Sequence, residues 1–173
     1  MPLVVVDIEA DGPAPGLHSM VCFGAVLVEP SLSKTFYGQC RPLPDARPYI
    51  PEALAVSGFS RKSHERFSDP VETMADFADW VSTIKGRPVF VSDNLAFDWQ
   101  FINYYFHRFC DKNPFGWSGR RIGDLYAGYK NDFFVQWKHL RKTRHTHDPV
   151  DDARGNAEAL LAMREMGLKV PIK

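Results

Sequence analysis

Leu3-Val4-Val5-Val6-Asp7-Ile8-Glu9 is the stretch whose reading decides the fold. A short Val-rich run reads as a strand buried on both faces, of the kind found inside a sheet covered by helices. The run then ends in two carboxylates. Side chains two apart in a strand share a face, so Asp7 and Glu9 point the same way. Two like charges at the end of a buried strand repel each other and resist desolvation. A hard dication resolves the conflict, because Mg²⁺ and Mn²⁺ favour carboxylate oxygens. An acid-x-acid pair is common by chance, however, and taken alone it is better explained as a solvated strand end.

Outward from this stretch, residues 20–28 and 34–41 read as further strands, with Pro30-Ser31 marking the hairpin. Prolines fill a connection over 41–51, and a short helix is expected over 51–56, stopped at Ser57-Gly58. Val71, Met74, Ala75, Phe77, Ala78 and Val81 recur at helical spacing, and Gly86 closes that helix. Residues 87–92 (RPVFVS) form another strand, followed by an aromatic-rich helix over 94–109. Residues 112–121 read as a loop and 122–129 and 133–140 as shorter helices. Pro149 opens a last helix that ends near Gly167. Phe133, Phe134 and Trp137 share one helical face and are expected in the core. Strands first, then a helix, a strand and several helices indicate an α/β fold with a mixed central sheet.

With 173 residues, 45% of them hydrophobic, the chain suits a single domain spanning 1–173. Its three cysteines form no CxxC pair, and Cys22 and Cys40 lie in apolar or strand-like segments, so free thiols in a reducing compartment are expected. The first residues lack a basic region, and their apolar run is too short for a signal peptide or membrane span. A cytoplasmic protein without membrane association is the expectation. Net charge is zero, which argues against a nonspecific nucleic-acid coat. Residues 1–100 carry 8 Lys/Arg against 13 Asp/Glu, and residues 101–173 carry 13 against 8. Such a split suits a metal-binding centre facing a phosphate-binding surface, and it equally suits ordinary charge scatter.

Two further segments carry chemistry. Asn94-Leu95-Ala96-Phe97-Asp98 places an acid in the first turn of a helix leaving an interior strand, where α/β folds put ligand-contacting groups. A favourable helix-dipole interaction is the simpler account of that acid alone. His147-Asp148-Pro149-Val150-Asp151-Asp152 puts a histidine before a helix and an acid within its first turns. A neutral imidazole can take a proton from water, while Asp148 or Asp151 could simply cap the helix.

Together, these residues point further than any of them does singly. DxE on the first strand, N-x-x-F-D at the middle and H-x₄-D near the end resemble the RNase-T-like DEDDh group of 3′→5′ exonucleases, within the ribonuclease H-like superfamily. Phe23-Gly24-Ala25-Val26 and Pro51-Glu52-Ala53-Leu54-Ala55-Val56-Ser57-Gly58-Phe59 extend the resemblance over nearly the whole chain. It implies a three-layer fold with a central mixed sheet flanked by helices. It also implies hydrolysis at the 3′ end of single-stranded RNA or DNA, releasing nucleoside monophosphates. Asp7, Glu9, Asp98 and Asp152 would hold two Mg²⁺ or Mn²⁺, with Asp7 shared between them and His147 the general base. Small members of the group are homodimers, so a homodimer is expected. The chain departs from the group at Ala10-Asp11-Gly12, at Asp93 and at Ser57. Asp11, Gly12, Asn94, Phe97, Arg141, Lys142 and Arg144 are the expected substrate contacts, the last three within a basic run leading to His147. A nuclease-like binding module without activity is the alternative; loss of a carboxylate would mark it, and all four are present.

Overall fold

A computed structural model describes residues 1–172. Its sheet has the order β3-β2-β1-β4-β5, with β1 (Leu3–Ala10) at the centre. β2 (Met20–Leu27) runs antiparallel to β1, and β3 (Thr35–Gln39) antiparallel to β2. β4 (Val89–Ser92) and β5 (Gly119–Arg121) are parallel to β1 and its neighbour, giving the mixed sheet expected from the element order.

Alternation along β1 fixes which helices lie on which face. Val4, Val6 and Ile8 join a core with Met74, Phe77, Phe101 and Tyr105, from α3 (Pro70–Ser82) and α4 (Leu95–Phe109). Leu3 and Val5 face the other way, into a second core with Ile122 of α5 (Ile122–Lys130) and Ala153, Ala157 and Leu160 of α6 (Pro149–Glu165). Asp7 and Glu9 continue this odd-numbered series. The strand's own period therefore aims both carboxylates at the face crossed by α6. Two short helices, α1 (Pro51–Val56) and α2 (Arg61–His64), lie in the connection before α3.

α6 approaches the sheet closely because Gly24, which pairs with Asp7 across β1 and β2, has no side chain. A Cβ there would collide with the backbone of Pro149 and Val150. Pro149 occupies the first turn, and Gly167 follows the helix at a φ of 102°, as their sequence positions imply.

Three segments differ from the sequence reading. β5 lies within the expected loop, and α2 in the unassigned stretch between the expected helix over 51–56 and the one from Val71, both too short for periodicity to register. Residues 133–140 form no α-helix; one 3₁₀ turn covers Lys138–Leu140. Asn131 adopts a left-handed conformation that ends α5, and the Asp132 carboxylate accepts from Phe134 N, so local side-chain bonding builds a turn instead. In consequence Phe133 and Phe134 are 86% and 82% exposed, and of the expected core trio Trp137 alone is buried, at 3%. Cys22 and Cys40 are buried free thiols. Among the described residues, no helix is long and apolar enough to cross a membrane.

Candidate active site

Asp98 is carried into the sheet by α4 and is buried. Its Oδ1 accepts from Ile8 N at 3.3 Å, which pins the start of α4 between Asp7 and Glu9. Its Oδ2 is buried with no hydrogen-bond partner among the described residues. Burial, with the charge of Asp93 in support, pushes this carboxyl from 3.8 to about 7.

Asp7 is raised well above the ordinary carboxylate range. Burial is the largest cause, followed by the negative charges of Asp98, Asp152 and Glu9, which Arg141 partly offsets. Three acids drawn from α4, α6 and β1 thus surround the fourth. Glu9 is also raised, chiefly by burial, while His147 works in the opposite direction. The imidazole Nδ1 of His147 lies 3.2 Å from Glu9 Oε1, leaving Nε2 as the unengaged ring nitrogen.

Asp152 is held differently. Its Oδ1 accepts from Arg141 Nη2 and faces His145 Nδ1, both at 2.8 Å, and from Thr146 N at 3.2 Å; its Oδ2 accepts from His147 N at 2.9 Å. Burial works to raise this carboxyl, but Arg141 and His145 outweigh it and leave it lowered. The loop before α6 is wrapped around Asp152, and His147 takes a left-handed φ of 62° within that wrap. Capping falls to Asp148, whose side chain accepts from Val150 N and Asp151 N, so Asp152 is not spent on the helix end.

The donor set fits a divalent cation. Three carboxyls are forced upward by burial and mutual repulsion, and one buried oxygen has nothing to bond. Protonation or a hard cation would relieve both.

The expected substrate contacts fare unevenly. Asn94 is exposed at the start of α4, and Phe97 is half-buried, packed on Phe101 with ring centres 5.2 Å apart. Lys142 and Arg144 are exposed. Gly12 is buried beneath the His18 ring, where a Cβ would collide with it. Asp11 corrects the expectation: it is buried, accepts from Ser19 N at 2.6 Å and pairs with Arg61 Nη1 at 3.1 Å, so its charge is spent internally. Arg141 is a second correction. Its side chain is 7% exposed and is committed to Asp152 rather than standing free for a phosphate.

Two contributors escaped the sequence reading: Gly24, which admits α6, and Arg141 as the counter-charge of Asp152. A buried acid demands a nearby cation, and that demand was the available signal for Arg141. A glycine beside a strand's acid offers none.

A scan against protein-family models finds no match. The chain is 38% identical over 170 residues to the 3′-5′ DNA exonuclease Cap18 of Escherichia coli, covering 90% of this chain and 87% of that protein. It is similar to the crystal structure of the nuclease domain of 3′hExo, a DEDDh family member bound to rAMP, with a TM-score of 0.77 at 16% identity, over 99% of this chain and 96% of the other. It is also similar to the zinc-bound E. coli ExoI–ssDNA complex, with a TM-score of 0.71 at 18% identity, over 96% of this chain and 41% of that one. At these structural identities the likeness speaks for the fold.

Proposed function

Since this chain belongs to the DEDDh family of 3′→5′ exonucleases, we propose that it removes nucleotides from the 3′ end of single-stranded DNA, releasing nucleoside 5′-monophosphates. The observation that carries this reading is geometric: Asp98 is bonded to Ile8 N between Asp7 and Glu9, and His147 joins Glu9 through Nδ1 to Asp152 through its backbone N–H. DNA is favoured over RNA by the name of the E. coli relative.

Divalent-metal dependence goes with the family. In our reading Asp7, Glu9, Asp98 and Asp152 would hold two Mg²⁺ or Mn²⁺. Bound there, divalent cations supply charge neutralisation at the scissile phosphate and a water acidic enough to attack it. The chain does the rest. Asp98 keeps one oxygen fixed by Ile8 N, which leaves Oδ2 buried and without a partner among the described residues. Glu9 engages His147 Nδ1, which orients the ring and leaves Nε2 to take the proton from the attacking water. Arg141 and the loop amides fix Asp152 and balance its charge. We include the family's homodimer in this reading; a monomeric mass in sedimentation would remove it.

Degradation of 5′-labelled single-stranded DNA and RNA, run with Mg²⁺, with Mn²⁺ and with EDTA, tests the proposal. It predicts a ladder shortening from the 3′ end, dependent on metal and stronger on DNA. Immediate release of the labelled 5′ nucleotide with no ladder, or activity in EDTA, would contradict it.

A further inference from the structure

Phe133 and Phe134 are the two most exposed phenylalanines, and they adjoin each other in a T-shaped pair with ring centres 5.1 Å apart. Contiguous exposed aromatics mark a binding surface more often than a solvated loop. Their segment is held in place. Asp132 N donates to Ala127 O, Asp132 accepts from Phe134 N, and Trp137 and the partly buried Val135 anchor it in the core below. The two rings are thus presented by a fixed turn.

Their position matters as much as their exposure. They line a cavity of about 370 Å³ with Asp93, Asn94, Arg121 and Lys138. Asn94, which lines the cavity, accepts through its carbonyl oxygen from Asp98 N at 2.9 Å. The cavity therefore opens within one helical turn of the buried Asp98 carboxyl, beside the carboxylate cluster. Its cations are oriented by Asp93: Lys138 Nζ pairs with the carboxylate at 2.8 Å, and Arg121 Nε donates to the carbonyl at 3.1 Å. Aromatic faces beside fixed cations match a single strand, whose bases stack and whose phosphates are anionic. Trp117 offers a contrast. It is 93% exposed but precedes β5, at the sheet edge away from the cluster.

We propose that Phe133 and Phe134 form a stacking platform for the nucleobases just upstream of the 3′ end. This rests on the exonuclease reading and adds to it a requirement for bases, and not only a phosphate backbone, outside the reacting nucleotide.

Binding of a fluorescent oligothymidylate of about 12 nucleotides in EDTA, followed by anisotropy, tests the platform. Loss of even one stacking contact weakens binding by about 10- to 100-fold, so F133A/F134A should bind at least about 10-fold more weakly. W117A should bind as the unaltered protein does, and F133W/F134W should restore affinity. An abasic strand of equal length should bind the F133A/F134A and unaltered proteins alike, and hydrolysis of thymidine 5′-monophosphate p-nitrophenyl ester should be unchanged. Undiminished oligothymidylate binding by F133A/F134A, or an equal loss on the abasic strand, would overturn the platform while leaving the exonuclease reading intact. An unaltered protein that neither binds nor shortens oligothymidylate would overturn both.

Discussion

Asp7 shows how a site can oppose its own fold. It is buried among three like charges, with Arg141 in partial opposition, and its carboxyl is driven upward as a result. Asp7→Asn keeps the shape and removes one charge. It should abolish hydrolysis and at the same time raise the melting temperature of the metal-free protein in EDTA calorimetry, as expected where activity is held at the cost of stability. An unchanged or lowered melting point would mean that repulsion is not what perturbs Asp7. His147 makes the opposite case, because its ring is half exposed and meets the cluster only at Glu9, through Nδ1, while its backbone N–H bonds Asp152. His147→Ala should retain Mn²⁺ binding by calorimetry yet turn over about 10²–10⁴-fold more slowly. Turnover equal to the unaltered protein would remove the histidine from the base role. The five residues of the cluster were visible in the sequence because each stands at an element boundary in a fixed spacing. Arg141 was not, since within a run of basic residues nothing marks the one that turns inward to an acid.

Among the elements, α6 decides whether the cluster closes. Its first turn lies against Gly24, and Arg141 reaches Asp152 across Gly155, where a Cβ would collide with the guanidinium. Gly24→Ala sets a methyl against backbone atoms that cannot rotate away, so α6 must lift from the sheet and take Asp152 with it. Overpacking of this kind costs about 1–3 kcal/mol. The predicted result is a modest fall in the urea midpoint with a much larger loss of turnover; full turnover would show that the close approach does not position Asp152. β1 and β4 were legible as compact β-branched apolar runs, α4 as an aromatic-rich stretch after β4, and α6 through Pro149 at its start and Gly167 beyond its end. β5 and α2 span three and four residues, below any period, and exist through their neighbours. At residues 133–137 the apolar spacing favoured a helix, but the left-handed Asn131 and the Asp132 side chain overruled it. That is why two phenylalanines expected in the core stand in solvent.

At the scale of the whole molecule, part of the basic surplus of residues 101–173 is spent inside the fold. Arg141 pairs with Asp152 and Lys138 with Asp93, so part of the basic surplus balances acids before any phosphate arrives. The acids left without such a partner set the pH response. Asp7, Glu9 and Asp98 have raised folded-state values, so their contribution to stability is full below the ordinary carboxylate range and is lost as pH rises, through about 7 for Asp98. Asp152, lowered, acts in reverse and loses its contribution as pH falls below 3.8. Without metal, the melting temperature should therefore decline from about pH 5 to about pH 8, and Mg²⁺ should restore it at the upper end with little effect at the lower. A metal effect independent of pH would contradict that linkage. The most direct test of the four-carboxylate metal centre is anomalous diffraction at the manganese edge from crystals soaked in Mn²⁺. Peaks about 2.0–2.3 Å from oxygens of Asp7, Glu9, Asp98 and Asp152 are predicted. Peaks elsewhere, or none while those carboxylates point apart, would contradict it.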